Sequence, residues 1–127
     1  MRKNIKPLIW QANLKNFGER NKMRQTRLEV IGPSREVDSD FWLEDGLLLT
    51  GMALEMDGEH GPSLEIMLQV PSVPTRNHMT HTITGVKRVE LETVDGRDEV
   101  LEIEDKEGAV TIMHFESEVP GKTQGAG

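Results

Sequence analysis

The sequence predicts an α+β domain: one N-terminal helix packed on a strongly curved antiparallel sheet of about five to seven strands, bending toward a small barrel. Three observations carry this. Val89-Glu90-Leu91-Glu92 and Leu101-Glu102-Ile103-Glu104 alternate apolar and charged residues, the two-residue period of a half-buried strand. Asp95-Gly96 lies between these runs, where a tight hairpin needs residues that tolerate positive φ. Trp10, Leu14 and Phe17 recur at helical spacing, so one helix has a single apolar stripe to bury.

In chain order, that helix is expected over Pro7 to Phe17. Pro7 fits a first turn, and Gly18 fits a left-handed stop. Glu19 to Gln25 is polar and reads as a connector. Thr26 to Ile31 alternates as a first strand, ended by Gly32-Pro33. Phe41-Trp42-Leu43 reads as a short separate strand before Glu44-Asp45-Gly46, with Trp42 in the core. Leu47 to Met56 is a longer strand, apolar on both faces at its start, and Gly51 marks a bulge or bend. Ser63 to Val70 follows, with Leu64, Ile66 and Leu68 on one face. Pro71 to Asn77 reads as a surface loop. His78 to Thr84 leads into a three-stranded meander that runs to about Ser117, with a second break at Lys106-Glu107-Gly108. Residues 1–117 therefore read as one domain and 118–127 as a flexible tail.

Composition removes several function classes. There are no cysteines, so a disulfide framework and a thiolate zinc site are excluded. That fits a reducing, cytoplasmic setting. The basic start, Met1 to Lys6, has no apolar segment after it, which reads against a secretory signal. The longest apolar run, Leu47-Leu48-Leu49, is too short to span a membrane. The net charge of -7 conceals an asymmetry: residues 1–27 hold eight Lys/Arg and one acid. Such an arm can meet the acidic body or an anionic partner. Nucleic acid is not indicated, because the chain is acidic and aromatics are only 4% of it.

His78 and His81 are the candidate metal ligands. Their spacing can present two imidazoles to one ion from a turn or helix, but a regular strand would put them on opposite faces. His60, His114 or a carboxylate would have to complete the set. Glu90, Glu92, Glu102 and Glu104 are the available carboxylates, yet an alternating wet face gives no cleft for acid–base work. No serine sits in a nucleophile elbow, and no glycine-rich phosphate loop is present. The seven methionines read as core filling.

Several segments in order resemble a small bacterial domain family of unknown function, an N-terminal helix followed by antiparallel strands. They are Trp10 with Leu14 and Phe17, Arg20-Asn21, Leu48 to Gly51, Leu64 to Ile66, and His78-Met79-Thr80-His81. The Leu-Glu-Ile strand at 101–103, Gly108, Thr111-Ile112 and Phe115 complete the pattern. His114 departs from it, since a basic residue is expected there. The resemblance covers roughly residues 5–116. It implies the fold and no activity.

The functional expectation is a non-enzymatic structural or interaction module with no cofactor. It would pair with a second copy or a protein partner through an edge strand or an exposed apolar face such as Val94, Val100 and Ile112. The alternative is a small metal- or ligand-binding protein using His78 and His81.

Overall fold

A computed structural model describes residues 1–32, 40–70 and 78–116, with 40–45 in backbone only. The expected tail at 118–127, the loop at 71–77 and the side chain of Trp42 lie outside what is described. The elements in order are β1 (Arg2–Asn4), a 3-10 turn (Pro7–Ile9), α1 (Trp10–Arg20), β2 (Gln25–Ile31), β3 (Asp40–Glu55), β4 (Ser63–Gln69), β5 (His78–Thr84), β6 (Val86–Val94), β7 (Arg97–Asp105) and β8 (Val110–Phe115). All eight strands form one antiparallel sheet in the order β1-β6-β7-β8-β2-β3-β4-β5.

The α+β architecture is therefore as expected, and two details of it differ. Among the described residues the sheet has eight strands, because β1 adds to β6 at the basic start, where three residues carry no periodic signal. It also stays open: among the described residues no ladder joins β5 to β6 or β1, so a closed barrel is not formed.

The helix buries its predicted stripe. Trp10, Leu14 and Phe17 are 3%, 0% and 0% exposed, and each contributes roughly 1.5–3 kcal/mol by leaving water. Trp10 donates its indole N–H to the Ile5 carbonyl at 2.7 Å, which satisfies the one polar atom it takes inside. Pro7 starts the 3-10 turn that feeds α1. Gly18, however, does not stop the helix. It lies inside α1, which runs on to Arg20 and is capped by Asn21. The reason is packing: a Cβ at Gly18 would come within 2.9 Å of the Met52 backbone nitrogen, so the glycine lets α1 press onto β3.

β3 is continuous from 40 to 55, so Phe41 to Leu43 is not a separate strand. Its ladder with β4 shifts register between Leu49 and Gly51. That bulge moves the inward face from Leu47 and Leu49 to Met52 and Leu54, all four of which are buried. A strict two-residue alternation from Leu48 would have put Leu47 and Leu49 opposite Met52. Leu64, Ile66 and Leu68 of β4 complete the inner wall as predicted. The β6–β7–β8 meander is also as predicted. Asp95 and Gly96 have φ of 53° and 79° in its first turn, and Gly108 has φ of 93° in its second.

Candidate functional site

Although β5 and β6 are far apart in the sheet order, only Gly85 separates them in the chain. The sheet must curl until its ends almost meet. At the joint the Gly85 and Val86 amides both donate to the Pro62 carbonyl, at 2.9 and 2.8 Å, and the Lys106 amide donates to the Gly85 carbonyl at 2.8 Å. Away from this joint the ends separate, and a cavity of about 630 Å³ opens between β5 and the β7–β8 hairpin.

The cavity is built from alternation. β5 pairs with β4 so that Met79, His81 and Ile83 stand opposite Leu68, Ile66 and Leu64, the inward residues of β4. β8 pairs with β7 so that Thr111 stands opposite the buried Ile103, and β2 sets Val30 opposite Thr111. His81 and Thr111 thus meet across the cup, with Nε2 and Oγ1 3.5 Å apart. Thr111 is buried, and His81 is half-buried. Burial pushes the His81 imidazole pKa down, which favours its neutral form.

The rim is a fixed turn. The Asp105 carboxylate accepts from the Glu107 and Ala109 amides at 2.9 and 3.0 Å, and the Gly108 amide donates to the Asp105 carbonyl at 3.0 Å. Lys106 folds back over the joint, its ammonium 2.7 Å from where a Gly61 Cβ would stand.

Of the predicted ligand pair, only His81 reaches this cup. His78 is exposed on the other face of β5, as an odd spacing on a strand requires. His60, from the turn after β3, lines the cup with His81 instead. His114 lies on the outer face, 3.5 Å from Glu29. Among the described residues no three His, Asp or Glu side chains are grouped to hold a metal ion.

The four meander glutamates do come together, but with arginines. Glu90 stands directly opposite Glu102 on the β6–β7 ladder, which alone would be repulsive. Arg2 binds Glu90 at 2.8 Å, Glu92 at 3.0 Å and also Glu102. Arg88 binds Glu90 at 3.0 Å and both Glu102 and Glu104 at 2.8 Å. The hydrogen bond from Arg2 holds the Glu90 carboxyl below its usual range. A general acid needs the opposite shift, so this ladder is structural.

A third polar cluster fixes the end of α1 to β7. Asp98 is buried, and burial by itself would push its carboxyl up. Hydrogen bonds from Arg20 at 2.8 Å and Asn21 at 2.7 Å, with the nearby charges of Arg20 and Arg24, outweigh this and bring it down. Arg24 also stacks on the Phe115 ring, 4.1 Å from its centroid. Arg20, Asn21 and Arg24 lie in the stretch read from sequence as a connector. Only the spatial approach of Asp98 reveals their role.

Val94 is 49% exposed, while Val100 and Ile112 are half-buried. Among the described residues no helix is long and apolar enough to cross a membrane. No family model, curated protein or solved structure matches the chain.

Proposed function

We propose that this chain is a non-enzymatic binding module that holds a small ligand in the cup between β5 and the β7–β8 hairpin. The observation that carries the reading is the inward pair of His81 and Thr111 beside open volume. A concave site of this size, which combines apolar side chains with converging polar atoms, fits a small-molecule pocket. Two of the three polar clusters already have roles in holding the fold: the glutamate ladder stitches β1 to β6 and β7, and Asp98 anchors α1. His81 and Thr111 are not used in that way. Catalysis is not part of the reading, because among the described residues His81 has no carboxylate partner that would orient it as a general base.

Ligand-observed NMR with a mixture of small fragments tests this. Some fragments are expected to bind the wild-type chain and to lose binding in Ala109→Trp, which fills the cup from its rim. Fragments that bind both chains equally would place the binding elsewhere and sink the proposal.

A further inference from the structure

Resting on that reading, we infer that the ligand class of the cup is an uncharged molecule that combines an apolar part with a hydrogen-bonding head group, such as an alcohol, phenol or secondary amine. Between the rim and the His81–Thr111 pair, the lining residues are the apolar Val30, Ile83 and Ala109 and the polar Thr82 and Thr84, with Gly85 leaving one side bare. The deep polar atoms are His81 Nε2 and Thr111 Oγ1, which can each donate or accept a hydrogen bond. Neither carries a charge when the imidazole is neutral, and the burial of His81 favours that form.

Among the described residues, the Asp, Glu and Lys side chains that line the cup are all on its rim, Asp105, Lys106 and Glu107 from the β7–β8 turn. The Asp105 carboxylate is occupied by two backbone amides, and the Lys106 ammonium is drawn aside over Gly61. An anion entering the cup would leave water and, among the described residues, meet no lining Lys or Arg but Lys106 on the rim, which is costly. A neutral head group gives up only hydrogen bonds that His81 and Thr111 can replace.

Two fluorescent probes with one skeleton separate the possibilities: N-phenyl-1-naphthylamine, which is neutral, and 1-anilinonaphthalene-8-sulfonate, which adds only a sulfonate. At neutral pH the neutral probe is expected to bind at least about tenfold more tightly. Its binding should be lost in Ala109→Trp and in Val30→Trp, which fills the cup from the β2 wall opposite Thr111. Circular dichroism and thermal melting establish that both variants fold. Should the sulfonate bind as well as the neutral probe, and be lost in the same two variants, the cup stands and the assigned ligand class is wrong. If neither probe responds to either variant, the cup itself is not the binding site and both readings fail.

Discussion

His81 makes the strongest single-residue claim, because its position and its chemistry follow from one cause. The inward side of β5 takes the ring partly out of water, and this burial lowers its pKa. This has a sign in the pH dependence of stability. The unfolded chain takes up a proton near the ordinary imidazole value, while the folded chain resists it until a lower pH. Over that window the unfolded state binds more protons, so stability rises with pH. The contribution is complete above about pH 6.5, the unfolded value, and is lost as pH falls from there through the lowered folded value. One proton can give a slope of at most about 1.4 kcal/mol per pH unit. Urea unfolding at pH 7 and pH 5 should therefore show a loss of stability in the wild type that is smaller in His81→Leu. An equal loss in both chains would mean that burial does not control this ring.

At the scale of elements, α1 on β3 shows a packing demand overriding a local preference. Glycine inside a helix costs about 1 kcal/mol relative to alanine, so Gly18→Ala should stabilise an isolated helix. Here the added methyl would meet the Met52 backbone nitrogen at 2.9 Å and its Cβ at 3.1 Å. A backbone atom in a strand cannot turn aside as a side chain can, and such overpacking typically costs about 1–3 kcal/mol. We expect Gly18→Ala to bring no gain and to destabilise by up to about 2 kcal/mol net, read from the urea midpoint. A rise in the midpoint would show that α1 has room to move away from β3.

The same contact explains what the sequence made legible. Trp10, Leu14 and Phe17 declare their face by spacing alone, and the Val89-to-Glu104 hairpin declares both its strands and its turn. Gly18 cannot declare itself, since a helix stop and a close helix–sheet contact need the same residue. His81 is similar. Its inward direction follows once β5 is a regular strand. Its meeting with Thr111, thirty residues away, depends on how far the sheet curls, and no local pattern encodes that. Arg2 was visible only as part of a basic arm. Its three glutamate partners lie 88, 90 and 100 residues on.

For the whole molecule, the curl of the sheet rests on Gly85. This residue turns the chain from one end of the sheet to the other with φ of 74°, a conformation that disfavours any side chain with a Cβ. Its surroundings are also tight. A Cβ there would meet the His60 carbonyl at 3.3 Å and the Lys106 side chain at 3.5 Å. Gly96 offers an internal control, because its φ of 79° is nearly the same and nothing lies within 4 Å of its Cβ position. The backbone penalty of roughly 1–2 kcal/mol should thus be common to Gly85→Ala and Gly96→Ala. Any further loss in Gly85→Ala measures the crowding of the joint, and we expect about 1 kcal/mol more. That extra loss should have a location. The Val86 and Lys106 amides, which close the joint through Pro62 and Gly85, should exchange faster with solvent in Gly85→Ala and not in Gly96→Ala. Equal destabilisation with unchanged exchange at both amides would mean that the ends of the sheet are held together elsewhere, and that the cup does not owe its shape to this joint.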